Sequence, residues 1–203
     1  RERYLADLLA LVARERVALV VPVSEEAMHA SCLAERLPPG VRMYSMTPPR
    51  LLELHDKHAF VGVVRGYGLA APDTYALRDP DAAALAACAP YVVKPVYSCS
   101  GRGVRFCAAG EPLPPGGAEP AIVQRFVAGD VRTSFTIAHE GRVQATIVYR
   151  GVVMSGTVAV CFERVPSQPA VERWVEAFVA RARWSGFVSF DFVVDAAGAA
   201  HAI

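Results

Sequence analysis

Lysine beside a glycine-containing loop is the first pattern in this chain that could do chemistry. Lys94 sits in an apolar run, and Ser98, Cys99, Ser100, Gly101 and Gly103 follow it in "YVVKPVYSCSGRGVRF" (91–106). A cation projecting from one face of a strand, next to a loop offering backbone N–H groups and hydroxyls, is suited to phosphate oxygens. The glycines let the backbone come close. The order is reversed from the usual phosphate loop, in which lysine follows the last glycine at the start of a helix. A dinucleotide fingerprint fails as well, because there is no GxGxxG and no helix follows the glycines. A plain hairpin with a long loop and a snorkelling lysine has the same local pattern.

Composition singles out a second residue. Of 21 basic residues, 19 are Arg, and Lys57 and Lys94 are the two lysines. Such a bias reflects coding composition, with Arg filling positions where any surface cation serves. An ammonium is a compact point charge, whereas guanidinium is a broad planar fork. The two lysines therefore mark candidate positions where Arg would not serve, chance survival being the other reading. Asp191, in "SFDFVV", is the third candidate. An unpaired buried carboxylate is costly, and alternation puts Asp191 on the face opposite Phe190 and Phe192. A structural carboxylate hydrogen-bonded to a neighbour is the alternative.

Whole-chain properties narrow the classes. The 203 residues are 53% hydrophobic, enough for a core in one or two domains. A formal net charge of +1 does not indicate nucleic acid or anionic lipid as a partner. No apolar run approaches the roughly 18 residues needed to span a bilayer, and the N-terminus has an amphipathic pattern, not that of a signal peptide. Cys32, Cys88, Cys99, Cys107 and Cys161 are odd in number and show no CxxC spacing. That points to a reduced, cytoplasmic protein without a disulfide framework or Cys-based zinc site.

The elements that must carry these residues read as follows. Residues 3–16 form a helix and 17–23 a buried strand; Ser24 caps a helix reaching "PPG", and 41–46 is a short strand, the order of a parallel α/β layer. A short helix, a break near Asp56 and a second helix ending at Gly66–Gly68 follow. "AAPDTYAL" is extended, and Asp79 and Pro80 begin a helix. Strands at 91–97 and 104–108 flank the loop, 110–120 is a Pro/Gly-rich link, and 121–127 is a strand. Two strands join at "HEG", "TVAVCFERV" is another, and "QPAVERWVEAFVARARW" is an amphipathic helix. Two strands across an Asp-Ala-Ala-Gly turn close the chain.

Taken in order, "LHDKHAFVGVVRGYGLAAPDTY", the lysine–loop segment, "AIVQRFVAGDVR" and "GFVSFDFVVDAAGAAHAI" resemble the ATP-grasp superfamily over nearly the whole chain. The subgroup most resembled is the carbamoyl-phosphate-synthase-like and biotin-carboxylase-like carboxylate–amine ligases. The resemblance implies an α/β chain of the α+β ATP-grasp type, with a partial Rossmann-like layer before two α+β subdomains clasping ATP. Residues 1–47 would be the tail of that preceding domain and 48–67 connecting helices with the first ATP lysine. Residues 68–127 would be the small subdomain with the glycine loop, and 128–203 the large one, incomplete at its C-terminus.

The same resemblance assigns roles. Lys57 and Lys94 would hold ATP phosphates together with Ser98, Ser100, Gly101 and Gly103. Gln124, Arg125 and Val127 would meet adenine, the last two through backbone groups, with Phe126 packed internally; Gln124 stands where the family has an acidic residue. Asp130 is the candidate for ribose hydroxyls. Arg132, and more weakly Arg150, would face a phosphate or the carboxylate substrate, with surface arginine as the bland reading. Asp191 would ligate Mg²⁺ (or Mn²⁺), and a second ligand, a Glu, would fall just beyond Ile203. His201 lies near the site without being a family ligand, Glu163 has no firm place, and Cys99 is a small loop residue and not a nucleophile. The implied reaction is ATP-dependent activation of a carboxylate or bicarbonate for attack by an amine, which needs no side-chain nucleophile. The partners are those small molecules, with no nucleic acid or membrane and room for a homodimer. The chain is expected to be truncated at both ends and, by itself, inactive or nearly so. A non-catalytic ATP-binding module of a larger protein is the competing expectation.

Overall fold

The computed structural model describes residues 1–99, 101–156 and 158–203. Helix α1 (Glu2–Arg14) buries Leu5 and Val12. Strands β1 (Leu19–Val20) and β2 (Arg42–Met43) pair in parallel, as the helix–strand order requires. The continuous apolar run at 17–23 is not a buried strand: only two residues pair, and Leu19, Val21 and Val23 are exposed. A two-stranded layer has too little sheet to cover them. The expected helix after Ser24 shrinks to α2 (Ala27–Ala30) and a 3₁₀ turn (Ser31–Leu33). Ser24 does not cap it through its side chain; instead the Glu26 carboxylate accepts from Val23 N and Ser24 N.

Helix α3 (Pro48–His55) begins on prolines, whose missing N–H groups are unpaired in a first turn anyway. Asp56 is extended and ends it, then caps α4 (Lys57–Gly66) by accepting from His58 N and Ala59 N at 2.9 Å each. A four-stranded antiparallel sheet follows, ordered β3–β6–β4–β5. Its strands are β3 (Thr74–Ala76), β4 (Tyr91–Pro95), β5 (Arg105–Cys107) and β6 (Ala121–Arg125). Helix α5 (Pro80–Cys88), capped by Asp79, packs Ala82, Leu85 and Ala86 against Tyr91, Val93, Cys107 and Val123. Period-two alternation therefore turns Val92, Lys94, Ile122 and Gln124 to the other face, with Phe106 across from Val92.

The larger sheet is antiparallel in the order β11–β10–β7–β8–β9. It comprises β7 (Asp130–His139), β8 (Arg142–Ser155), β9 (Val158–Val165), β10 (Gly186–Val194) and β11 (Ala200–Ala202). The turn between β7 and β8 uses Glu140 and Gly141, both at positive φ, which suits a two-residue hairpin. Helix α6 (Pro169–Ala182) covers one face. Trp174 meets Phe190 and Phe192 edge-on at 5.0 and 5.1 Å, and Phe178 meets Phe190 at 4.8 Å. Phe60, Val61 and Val64 of α4 enter this same core. The register Asp191–Thr133–Tyr149 runs across the opposite face. Among the described residues no helix is long and apolar enough to cross a membrane.

Just before β7, the chain passes very close to the end of β10. A Cβ on Gly129 would lie 2.2 Å from Val194 O, a backbone atom that cannot swing aside. Gly129→Ala should lower unfolding free energy by about 1–3 kcal/mol, measured by urea titration. An unchanged midpoint would show that the two strands separate without penalty.

Candidate functional site

Lys57 is the first residue of α4, and the helix delivers it to the strand β4 exit. Its backbone N–H donates to Val96 O (3.4 Å), and its Nζ donates to Ser98 O at 2.5 Å and Val96 O at 3.3 Å. Next to it, Tyr97 Oη donates to Asp56 Oδ2 at 2.7 Å while His55 stacks on the Tyr97 ring. The Asp-Lys pair thus clamps the start of the glycine loop. Burial lowers the Lys57 pKa from its ordinary value, opposed by Cys99, Glu25, Asp56 and Asp191.

Lys94 is buried on the face of the small sheet away from α5. Its Nζ donates to Gln124 Oε1 at 2.8 Å, Gln124 Nε2 donates to Thr74 Oγ1 at 2.9 Å, and Thr74 donates to Pro72 O at 2.9 Å. Loss of solvation pulls the Lys94 pKa down to about 8; the Lys57 charge adds to this, and Asp191 opposes it. An ammonium has three donors, so Lys94 retains capacity for anionic oxygens.

In the loop itself, Gly101 and Gly103 adopt positive φ, and a Cβ on Gly103 would meet Pro95 Cγ at 2.8 Å. Position 103 therefore requires glycine, and the backbone at Gly101 favours it. The loop N–H groups expected to face a ligand are partly used internally: Arg102 N donates to Cys99 O and Val104 N to Gly101 O. Ser98 Oγ makes a long bond to Pro95 O. Ser100 lies outside the described residues.

Asp191 emerges from the apolar strand on the exposed face, where Thr133 Oγ1 donates to its Oδ1 at 2.8 Å. It shares a cavity of about 480 Å³ with Lys57, Ser98, Cys99, Phe60 and Phe187. Sequence reasoning missed two residues on the sheet faces that carry Asp191 and Lys94. Tyr149 stands in the Asp191–Thr133 row, and its phenol is pushed up by burial and then by Asp191. Phe106 is exposed on the Lys94 face of the small sheet and meets Phe126 edge-on at 6.0 Å. Only strand register, invisible before pairing is known, could have found either.

Other candidates fall elsewhere. Arg132 sits opposite Phe192 in the register, on the face opposite Asp191, and pairs with Asp130 at 2.8 Å. Its Nε is buried without a partner. Arg150 alternates with Tyr149 and pairs with Glu163 at 2.7 Å. Strand alternation thus turns both arginines away from the Asp191 row. Asp130 is exposed and engaged by Arg132. The Arg125 N–H is taken by Asp73 O and its guanidinium by the Asp73 carboxylate. Val127 is half-buried just past β6. Phe126 is exposed and not internal, because alternation carries it past Arg125 onto the Gln124 face, away from the core under α5. His201 is bound to Asp195 at 2.8 Å.

A family model described as an ATP-grasp domain matches residues 54–198. Among curated proteins, nothing matches. Similar solved structures include the ATP-grasp ligase PsnB complexed with minimal precursor, Mg and ADP, at 20% identity and TM-score 0.61, covering 86% of this chain and 56% of that one. The biotin carboxylase domain of Hydrogenobacter thermophilus 2-oxoglutarate carboxylase gives 14%, 0.68, 98% and 50%. D-alanine–D-alanine ligase from Bacillus anthracis gives 15%, 0.62, 85% and 62%. At these identities the likeness is one of fold, and this chain spans less than two thirds of each of those structures.

The low Lys94 pKa is a stability statement. The unfolded chain holds this proton up to its ordinary pKa of 10.5, whereas the folded chain releases it above about 8. Between those values the unfolded state binds more protons, so this group makes stability rise with pH. Below pH 8 the full penalty stands, on the order of 3 kcal/mol. Lys94→Met removes it, so the variant's stability relative to wild type should be highest at pH 7 and fall by that order at pH 10.5. Urea unfolding at both pH values checks this; a pH-independent difference would refute it.

Proposed function

The chain belongs to the ATP-grasp family, and from that premise we propose that its cleft binds ATP as part of an ATP-dependent carboxylate–amine ligase. The observation that carries this reading is the convergence of Lys57, Lys94 and Asp191, from α4, β4 and β10, beside the 98–103 loop. Each lysine feels the Asp191 charge, so the three groups lie within electrostatic reach of one another.

The residues fit phosphates and a divalent cation. Lys94 is a buried ammonium with one neutral hydrogen-bond partner, a cation still lacking an anion. Among the described residues no three His, Cys, Asp or Glu side chains form a metal cluster. Mg²⁺ at a nucleotide site needs only one or two carboxylates, since phosphates and water supply the remainder, and Asp191 would be such a ligand, for Mn²⁺ as well. Bound ATP would supply a γ-phosphoryl group to a carboxylate or bicarbonate, leaving ADP, and an amine or similar nucleophile would then displace phosphate from the activated carbonyl.

The chain's contribution is positioning and charge neutralisation. Lys94 and Lys57 would stabilise negative charge spreading over the phosphoryl oxygens, and Asp191 would orient the cation. Burial strengthens the lysine charges by excluding water. The base would lie along the small-sheet face bearing Val92, Phe106 and Gln124, towards Val127. Residues 1–47 are read as the tail of a preceding Rossmann-like domain, with 68–127 and 128–203 as the two clasping subdomains.

Calorimetric titration with magnesium–ATP tests the site. Lys57→Ala and Lys94→Ala should each weaken binding by about tenfold or more, and Asp191→Asn should reduce the gain conferred by magnesium. Unchanged affinity in both lysine variants would sink the assignment. ADP release coupled to a carboxylate and an amine would mark a ligase, whereas binding with no release under any pairing would mark a nucleotide-binding module.

A further inference from the structure

Gln124 is almost wholly buried, and its amide can point in only one direction. The ammonium form of Lys94 carries donors alone, so in that form the 2.8 Å contact is to Oε1. The Thr74 contact fixes the same amide orientation whichever form Lys94 takes. Gln124 Nε2 then donates to Thr74 Oγ1, whose own hydrogen goes to Pro72 O. Three bonds run in one direction from cation to backbone carbonyl. The group that holds the ammonium is neutral, and among the described residues no carboxylate forms a salt bridge with Lys94. The charged groups that act on it are Lys57 at the start of α4, which opposes its charge, and Asp191 on β10, which favours it.

We propose that Gln124, locked by Thr74, is a positioning residue that fixes Lys94 without neutralising it, so that nucleotide phosphates bind with uptake of a proton. This rests on the nucleotide reading of the cleft. Lys94 titrates at about 8, so near that pH a large share of the free protein holds it as a neutral amine. Phosphate oxygens favour the charged form, and the proton passes from solvent to Lys94 Nζ. A carboxylate at position 124 would hold the lysine charged beforehand and abolish the uptake. An amide supplies the geometry without the charge.

The test uses the full chain and magnesium–ATP. Titration at pH 8 in two buffers of different ionisation enthalpy should report uptake of about half a proton per nucleotide. Affinity should weaken by about tenfold between pH 7 and pH 9. In Gln124→Glu, uptake should fall towards zero and the midpoint of the pH profile should move up. In Gln124→Met the ammonium loses its acceptor, and the midpoint should move down. A merely structural role would displace both variants in the same direction, and that result would overturn the proposal. So would wild-type binding without proton uptake, or uptake unchanged in Gln124→Glu, which would place the proton on another group such as Lys57. Folded wild-type protein that binds no nucleotide at any pH would instead overturn the nucleotide reading itself.

Discussion

The junction at Asp56 and Lys57 ties the two sheets together. Helix α4 belongs to the larger core through Phe60, Val61 and Val64, yet its first residue is bonded to the strand exit of the smaller sheet. Asp56 satisfies the helix N–H groups with one carboxylate oxygen and Tyr97 with the other. An N-cap is worth roughly 1 kcal/mol for the helix alone, but this one also sets where the loop begins. The Lys57 side chain is in turn tied to the Val96 and Ser98 carbonyls where β4 leads into the loop.

The cleft concentrates positive charge where solvation is poor. A buried lysine whose protonation is opposed by burial and by a second lysine would be an unfavourable arrangement in a protein with no anion to bind. Asp191 offsets part of the repulsion from across the cleft, and Gln124 supplies a hydrogen bond without a counter-charge. For the proposed phosphoryl transfer this would be a useful imbalance, since positioned cations contribute most when they need not first break from a carboxylate. Phe60, Phe135, Phe187 and Phe190 give the cavity beside Lys57 an apolar side, a low-dielectric wall facing its polar residues.

Much of the architecture could be read before any coordinates. The break at Asp56, the helix start at Asp79 and Pro80, helix α6 and the closing hairpin all have local signals strong enough to stand alone. The N-terminal layer could not be read as well. An apolar run such as "VALVVPV" looks the same whether a sheet covers it or not, and here only two of its residues pair. Likewise Arg132 is next to Thr133 in sequence but across the sheet from it in space.

Residue type and spacing singled out the cleft's charged groups as candidates, and the family resemblance gave them their expected roles. The scarcity of lysine, the loop with its glycines and an aspartate alternating with phenylalanines are properties of the chain, independent of how it folds. Tertiary structure decided which of those groups meet. Strand register chose the face for Tyr149 and Phe106 and removed Arg132 and Arg150 from it, because a change of one residue in a strand reverses the side-chain direction. Pairing across the small sheet placed Gln124 and Thr74 in line with Lys94. Burial then set the proton affinity of that lysine, and burial is a property of the packed molecule that no sequence position carries by itself.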